Sequence, residues 1–532
     1  MPADLTICGA ALLDDQHNLV QADVRLSAGR IDRIGPGLEP FGRHLDAAGL
    51  TLAPGFIDIH CHSDFASFVY PRAESKVLAG VTTDVSGNCG GSAFPLAGEF
   101  LARRQAEWAP RGLTVDWTSA AEYFDRADAA PCSVNRAVLA GHGALRATVV
   151  GYADRLATAD ERRAMRRMLT EALEAGAFGL SSGLIYPPGC YADVEELADL
   201  AAVVADAGGM YASHIRSEGD GLIEAVDEFL AVVRRSGVRG QLSHLKAAGQ
   251  ANWPKARTAV ARLRAARHEG LAVTADRYPY LSSMTDLDSM LLPNWAVEGG
   301  REQELARLSD PATRRRLADD IRRRHPEPDY LDHIIVASAG TSGAPEVVGR
   351  TLRQLGDIAQ RDPLEAAFDL ILEHTTQVSA THRSMSEDNL RLILGEPYVA
   401  VGSDSGLRHV PDGNGADRPR GLPHPRAYGT PGRFLGTYVR DAGLMDWQEG
   451  IRRLTSLPAD VLGLANRGRL HEDAWADLVL FDRESIADRA TYDCPWRTPA
   501  GIRHVFVGGE PVVVDGQHTG AMPGAVLRRG AP

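Results

Sequence analysis

The pattern of apolar and polar positions changes character twice along the chain. The stretches 1–52 and 466–532 contain short apolar runs separated by glycines, such as 5–13 and 476–481. Runs of this kind are typical of β-strands joined by tight turns. Residues 53–465 alternate strand-like runs with segments of helical period instead. Because the two ends share one character, we expect a small β domain built from both termini around a large central domain.

The central segment repeats a unit in which a helix precedes a short apolar strand. Thr158 with Glu161, and Asp193 with Glu196, form the capping pattern of two helix starts. Repeated units of this type predict a parallel sheet. Polar residues stand at or just beyond the carboxyl ends of strands along the whole segment: His62, Cys89, His142, His214, His244, Asp276 and Asp404.

These positions favour a closed barrel over an open sheet, which would gather its site at one switch point. The predicted fold is therefore α/β, with a (β/α)8 TIM-like barrel over 53–465. A small β-sandwich domain formed by 1–52 and 466–532 flanks the barrel.

The alternation breaks down between about residues 284 and 350. This segment contains a basic run, 314–324, which is typical of a solvated helix face rather than a nucleic-acid patch. We interpret 284–350 as an insertion that could cover the active site.

Composition narrows the classes of partner. The 532 residues include 70 acidic and 57 basic side chains, for a net charge of −13, which argues against nucleic acid or an anionic membrane. No segment reaches the roughly 20 apolar residues of a membrane span, and the first residues lack the features of a signal peptide. The six cysteines show no CxxC spacing, so we expect mostly reduced thiols and a cytoplasmic location.

His60 and His62 follow the apolar run 53–59. Residues two apart on a strand share a face, so the two imidazoles lie side by side as metal ligands do. Cys89, in the glycine-rich turn 87–91, adds a thiolate, a soft ligand that suits zinc. Alternatives are exposed histidines at a strand end, a buried free cysteine, or a nucleophilic cysteine with a histidine base. The further histidines favour a metal.

Asp404 ends the short apolar strand 399–403. An aspartate at such a position can cap the following helix. Beside a metal it can instead take a proton from a water whose pKa the metal lowers toward about 7. It would then return that proton to a leaving nitrogen.

These residues stand in a series of motifs, in this order: Pro-Gly-Phe-Ile-Asp (54–58) before His60 and His62, Gly-Val-Thr-Thr (80–83), Gly-Asn-Cys-Gly (87–90), Ser-His-Ile-Arg (213–216), Ser-His-Leu-Lys (243–246), Tyr-Pro-Tyr (278–280), Gly-Ser-Asp (402–404), His-Pro-Arg (424–426) and Thr-Ser-Leu-Pro-Ala (455–459). The series resembles the N-acyl-D-amino-acid deacylases (D-aminoacylases) of the amidohydrolase superfamily. The resemblance implies that the barrel is a distorted, metal-dependent hydrolase barrel flanked by a small β domain.

The resemblance implies roles for individual residues. It implies a tight Zn²⁺ site formed by Cys89, His214 and His244. It implies a second site, weak or vacant, formed by His60, His62 and Asp404, with Cys89 able to bridge. Asp404 would be the general base and acid. The substrate's α-carboxylate would be bound by Lys246, Arg426, Tyr186 and Tyr278.

The two basic residues fit a carboxylate on chemical grounds as well. Arg426 can hold it through two parallel hydrogen bonds, and Lys246 can add a point charge. An alternative role for Lys246 is a carboxylated lysine that bridges two metals, as in hydantoinase-like relatives. Met284 stands where the family usually has a serine that contacts the substrate's carboxylate. That contact is therefore either missing here or supplied by Ser283.

Two further features border these motifs. The stretch 414–417 lengthens the segment between Asp404 and Arg426 relative to the family. His142 and Arg146 match a family motif, but the sequence assigns them no role.

We therefore predict zinc-dependent hydrolysis of the amide bond of N-acyl-D-amino acids, which releases a carboxylate and a free D-amino acid. The D preference rests on the resemblance alone. Alternatives are a cyclic amidase of the hydantoinase or dihydroorotase kind, a metal-free hydrolase that uses Cys89, and a non-catalytic binding scaffold. The expected partner is a small acylated amino acid.

Overall fold

The structure is a computed structural model that describes residues 4–13, 19–340, 344–375, 377–411 and 421–530. The stretch 414–417, expected to lengthen a loop near the substrate, lies outside these ranges. In the part of the chain that is described, no helix is long and apolar enough to cross a membrane.

The strands, in chain order, are β1 (Leu5–Leu13), β2 (Leu19–Ser27), β3 (Arg30–Gly35), β4 (Arg43–Asp46), β5 (Thr51–Pro54), β6 (Phe56–Asp58), β7 (Val81–Ser86), β8 (Asn135–Val138), β9 (Ala140–Gly141), β10 (Gly179–Gly183), β11 (Met210–His214), β12 (Arg239–Leu242), β13 (Val273–Arg277), β14 (Ser282–Asp286), β15 (Ile334–Ala339), β16 (Val378–Arg383), β17 (Val399–Val401), β18 (Leu478–Phe481), β19 (Ile502–Val507), β20 (Glu510–Val514) and β21 (Gln517–His518).

The α-helices are α1 (Ala66–Val69), α2 (Glu74–Val77), α3 (Gly98–Trp108), α4 (Ala120–Asp128), α5 (His142–Val149), α6 (Ala159–Ala175), α7 (Val194–Asp206), α8 (Leu222–Ser236), α9 (Lys255–His268), α10 (Leu287–Leu291), α11 (Asn294–Val297), α12 (Arg301–Ser309), α13 (Pro311–Arg324), α14 (Leu352–Ala359), α15 (Pro363–Glu373), α16 (Glu387–Leu394), α17 (Arg426–Arg433), α18 (Trp447–Leu454) and α19 (Ser456–Leu462). A π-helical segment, Phe434–Asp441, continues α17.

Parallel strands form the barrel in chain order. β6, β7 and β8 are paired in one sheet, and β9, β10, β11, β12, β13 and β17 follow in a second. Only Leu139 separates β8 from β9, and its N–H donates to the carbonyl of Ser86 on β7. The N–H of Asp404, just after β17, donates to the carbonyl of His60 at 2.8 Å and brings the last strand to the first. The predicted distorted TIM-like barrel is confirmed.

The helix starts agree with the capping patterns in the sequence. Thr158 accepts from the N–H of Glu161 at the start of α6, and Asp193 accepts from Glu196 at the start of α7. The apolar positions of α6, which include Met165 and Leu169, are buried against the barrel. Each such side chain contributes roughly 1.5–3 kcal/mol when it leaves water. Most of the stability of these helices therefore comes from the face that they bury.

Strands from both ends of the chain form one nine-stranded sheet. Its order is β21-β20-β19-β18-β5-β1-β2-β3, and β4 also pairs with β1. β5 lies between β18 and β1 and leads directly into the first barrel strand, so the sheet is fixed to the barrel where the chain enters it.

The insertion has a sheet and a core of its own. β14, β16 and β15 form a three-stranded antiparallel sheet, covered by a separate hydrophobic cluster that spans 287–380. This sheet runs from residue 282 to residue 383, beyond the segment 284–350 that the sequence suggested. The difference arises because β16 pairs with strands distant in sequence, and its own apolar pattern looks like that of a barrel strand.

Candidate active site

Four side chains with metal-ligand atoms meet at the carboxyl end of the barrel. His60 follows β6, Cys89 follows β7, His244 follows β12 and Asp404 follows β17. One ligand atom from each lies within 4.8 Å of the others. The Cys89 Sγ is 3.3 Å from His60 Nε2 and 3.5 Å from His244 Nε2. Sulfur, imidazole and carboxylate donors at this spacing fit a zinc ion.

Three of these residues have a strained backbone. Cys89, His244 and Asp404 have φ of 53°, 36° and 52°, in the left-handed region that residues other than glycine seldom occupy. Each residue in such a region costs on the order of 1–3 kcal/mol and is usually held there by its surroundings. The chain turns sharply after each strand, and the ligand side chains converge at these turns.

His214 belongs to a second group. Its ligand atom lies within 4.8 Å of those of Glu218 and His244. Both ring nitrogens of His214 are buried, and neither has a hydrogen-bond partner in the described part of the chain. Buried polar atoms are nearly always paired. A metal ion bound to one of these nitrogens would give that nitrogen a partner.

His62 lies at the edge of the cluster. Its Nε2 is 3.0 Å from Asp404 Oδ1, and 37% of its side chain is exposed. The structure thus brings all six expected ligand residues to one end of the barrel. His244 lies in both groups: His60, Cys89 and Asp404 surround it in one, and His214 and Glu218 in the other. The expected sets placed His60 in a different site from His244.

Two carboxylates that the sequence analysis did not assign to the site hold the histidines. Asp276 Oδ2 lies 3.1 Å from His60 Nδ1, and Asp276 Oδ1 accepts from the backbone N–H of His244 at 2.9 Å. Glu218 Oε1 lies 2.9 Å from His244 Nδ1. In both pairs the carboxylate contacts the nitrogen that faces away from Cys89, an arrangement that fixes the tautomer of a metal-binding histidine.

Each of these carboxylates had a signal in the sequence. Asp276 stands at the end of a predicted strand, and Glu218 follows His214 by four residues. Neither signal indicates which histidine ring the carboxylate contacts.

Electrostatics keeps the site ionised. Burial opposes ionisation of the Cys89 thiol, but His60 and His244 outweigh it and hold the pKa of Cys89 well below its usual range. Burial likewise opposes the charge of Asp404, and Arg426 together with His62 holds its pKa well below the usual value. A thiolate and a carboxylate are the forms that bind metal ions.

The expected carboxylate-binding residues lie beside the cluster. The guanidinium carbon of Arg426 lies 4.5 Å from the ring centroid of Tyr278, and Lys246 Nζ lies 5.6 Å from the same centroid. The hydroxyl of Tyr278 is buried without a hydrogen-bond partner in the described ranges. Both expected cations therefore lie beside the Tyr278 ring, as Arg277 also does at 4.2 Å, and the ring's hydroxyl is free to bond.

Tyr186 contacts both the site and β14, the strand that carries Ser283. The Tyr186 ring meets His214 edge-on with centroids 5.1 Å apart, and its hydroxyl is 3.1 Å from Thr285 Oγ1 on β14. Ser283 is half-buried on the same strand. The carbonyl of Met284 accepts from Arg426 at 3.4 Å. The insertion thus borders the site through β14.

Lys246 and Arg426 each already have an anionic partner. Lys246 forms an ion pair with Glu218 and lies 2.7 Å from His244 Nδ1. Arg426 Nη1 lies 2.9 Å from Asp404 Oδ2.

His142 and Arg146 lie behind the Cys89 turn. His142 Nε2 is 2.8 Å from Glu196 on α7, and Arg146 donates to the same carboxylate at 2.5 Å. All three side chains are buried. The pair therefore joins α5 to α7 and makes no contact with the ligand cluster among the described residues.

Comparison with known proteins identifies the family. Residues 43–513 match the model of the amidohydrolase family. The N-acyl-D-glutamate deacylase of Alcaligenes xylosoxydans xylosoxydans is 38% identical over 532 residues, which cover 99% of this chain and 97% of the relative.

Two solved structures are similar over 99% of this chain and all of their own. One is the N-acyl-D-glutamate deacylase of Bordetella bronchiseptica in complex with zinc and a phosphonate mimic of the tetrahedral intermediate, at 35% identity and a TM-score of 0.81. The other is a D-aminoacylase described by its binuclear metal centre, at 31% identity and a TM-score of 0.82. The chain therefore belongs to the amidohydrolase family and, within it, to the N-acyl-D-amino-acid deacylases (D-aminoacylases).

Proposed function

We propose that this protein is a zinc-dependent enzyme that hydrolyses the amide bond of N-acyl-D-amino acids to a carboxylate and a free D-amino acid. The observation that carries the proposal is the cluster of His60, Cys89, His244 and Asp404 ligand atoms within 4.8 Å of one another, beside two cations. The D series and the acyl amino acid come from the relatives, which are named N-acyl-D-glutamate deacylase, D-aminoacylase and N-acyl-D-aspartate deacylase.

The donor set supports zinc. As the resemblance implies, Cys89, His214 and His244 would form the tight site, and a thiolate with two imidazoles matches the preference of zinc for sulfur and nitrogen. The rings of His214 and His244 lie 4.3 Å apart between centroids, which supports this pairing. His60, His62 and Asp404 would form a second, weaker site. When bound, the metal lowers the pKa of a water toward about 7 and polarises the substrate carbonyl.

Asp404 would carry the proton through the reaction. Its carboxylate takes a proton from the attacking water as the oxygen bonds to the carbonyl carbon. It then gives that proton to the amide nitrogen, which leaves as an amine while the carbon–nitrogen bond breaks. His62 at Oδ1 and Arg426 at Oδ2 hold this carboxylate from both sides.

The cations would fix the substrate. Arg426 and Lys246 lie beside the Tyr278 ring, and together with the hydroxyl of that ring they would bind the α-carboxylate. Tyr186 and Ser283 would complete this subsite at the edge formed by β14. When the α-carboxylate is bound there, the scissile carbonyl must still reach the ligand cluster. The enzyme therefore requires a substrate whose carboxylate lies at a fixed distance from the amide.

One contact argues against a cyclic amidase with a carboxylated lysine. Lys246 Nζ lies beside His244 Nδ1, whereas His244 Nε2 faces Cys89. The lysine is therefore on the far side of the imidazole from the ligand cluster. A mass increase of about one carbon dioxide on Lys246 would contradict this argument.

The test combines metal analysis with a hydrolysis screen of paired D and L N-acyl amino acids that carry acidic, neutral and bulky side chains. We expect bound zinc, hydrolysis of D substrates, and loss of activity after chelation that added zinc reverses. Asp404→Asn should lower kcat by roughly 10²–10⁴-fold. Full activity after stringent chelation would favour a Cys89 hydrolase, and preference for L substrates would refute the stereochemical claim.

A further inference from the structure

A lysine lies buried directly beneath the ligand cluster. Lys76, on α2, is 1% exposed. Its Nζ donates to Asp58 Oδ2 at 2.7 Å, to Ser403 Oγ at 2.8 Å and to the carbonyl of Ser405 at 3.0 Å. It also lies 3.3 Å from the Sγ of Cys61. The ammonium therefore uses all its donors within the protein and has none left for a substrate.

The partners of Lys76 come from two segments of the chain. Asp58 and Cys61 belong to the segment that carries His60 and His62, whereas Ser403 and Ser405 flank Asp404. A single side chain thus joins the histidine pair to the proposed base, although more than 300 residues separate the two segments.

Other bonds reinforce the same junction. Asp58 Oδ1 accepts from the backbone N–H of Ser403 at 2.8 Å, so one carboxylate binds both the ammonium and the second segment. Asp84 Oδ2 lies 3.8 Å from Lys76 Nζ and accepts from Ser63 at 2.7 Å. Ser63 in turn accepts from the N–H of Leu407.

The buried positive charge of Lys76 needs an explanation. A buried ammonium is strongly penalised unless it is paired and hydrogen-bonded, and an apolar side chain of similar volume often stabilises a core as well or better. What the ammonium adds at this point is directional bonding to both segments. Such bonds fix the relative position of the groups that the two segments carry.

We propose that Lys76 is a positioning residue for catalysis, which holds His60 and His62 in register with Asp404 through Asp58 and Ser403. This inference rests on the proposed function, because the groups that Lys76 would hold in place are the ligands of the second metal site and the carboxylate that carries the proton. A misplacement of about 1 Å in such a constellation can cost roughly 100-fold in rate.

Lys76→Met tests the proposal. We expect kcat to fall by roughly 10–100-fold, the range typical of groups that orient metal ligands. KM should stay within about 3-fold of the wild-type value, because Lys246 and Arg426 do not contact Lys76. Metal titration should show one tightly bound ion as before, and a second equivalent bound roughly 10-fold more weakly.

Arg467→Met is the matched control. Arg467 is also a buried cation, and it is paired with Asp477 next to the terminal sheet. Its loss should lower the thermal midpoint as the Lys76 change does, while kcat and the second metal affinity stay at the wild-type values.

Ser403→Ala removes one donor–acceptor pair and leaves the charges in place, so it decides the question if Lys76→Met fails to fold. We expect a fall in kcat of at least about 3-fold, with a thermal midpoint within about 3 °C of wild type. Unchanged kcat and unchanged second-site affinity, in whichever of the two variants folds, would overturn the positioning role. That result would leave the proposed function intact, whereas wild-type protein without deacylase activity would refute the proposed function itself.

Discussion

The guanidinium of Arg426 lies 2.9 Å from the carboxylate of Asp404, measured from Nη1 to Oδ2. The residue proposed to bind the substrate's carboxylate therefore also holds the proposed base. A guanidinium has five N–H donors in a fixed fork, so it can serve two carboxylates at once. This shared contact places the substrate anchor and the proton carrier at a set separation.

Arg426→Met should weaken substrate binding. Hydrogen bonds to charged groups contribute about 1.5–3 kcal/mol, so we expect kcat/KM for an N-acyl-D-amino acid to fall by roughly 10–150-fold. The matched measurement uses an N-acyl amine that has no carboxylate, for which wild type and variant should differ far less. Equal losses on both compounds would show that Arg426 acts only on Asp404.

Cys89→Ala should remove the tight metal. The thiolate lies among His60 and His244 at 3.3–3.5 Å, so its loss takes away the soft ligand. We expect less than one bound zinc per chain after dialysis and a fall in kcat of at least about 100-fold. Cys132→Ala is the control, since Cys132 is a buried free cysteine in the hydrophobic core. Undiminished zinc in the Cys89 variant would contradict the ligand assignment.

Glu218→Gln should loosen the site without removing a proposed ligand. Burial disfavours the Glu218 carboxylate, but Lys246 and His214 outweigh it and hold its pKa well below the usual range, so it is a carboxylate at neutral pH. Without that charge, His244 loses the partner that fixes its ring. We expect metal affinity and kcat to fall by roughly 10–100-fold. Glu224→Gln, an exposed residue at the start of α8, should change neither.

Glu304, together with the nearby carboxyls of Asp286 and Asp288, makes stability depend on pH. It is 6% exposed in the insertion, and burial raises its pKa from the ordinary 4.5 to about 7. The folded protein holds this proton more tightly than the unfolded chain does. The stability that it contributes is therefore complete below about pH 4.5 and is lost as the pH rises through about 7.

Glu304→Gln should consequently match wild type near pH 5 and be more stable at pH 8, by on the order of 2 kcal/mol. Thermal midpoints at several pH values measure this difference. Glu302→Gln, on the exposed face of the same helix, serves as the control. A stability difference that does not change with pH would show that Glu304 keeps its charge throughout.

The local pattern of apolar residues and end caps was enough to predict most of the helices and strands. The capping residues Thr158 and Asp193, which the sequence places at two helix starts, begin α6 and α7. Helical period and end caps act within a few residues, so they can be read along the chain. The insertion was harder, because β16 acquires its place only by pairing with β14 and β15, which precede it by 40–100 residues.

The sequence by itself determined the barrel, the candidate metal-binding residues and the family, since strand ends, residue chemistry and motif order can all be read along the chain. Only the tertiary structure decided the contacts: His60 lies with Cys89, His214 lies with Glu218, and Lys76 joins Asp58 to Ser403. Distances between residues of different strands depend on how the barrel closes and on which buried charges pair. Both are set by packing across the whole domain rather than by any neighbouring residue.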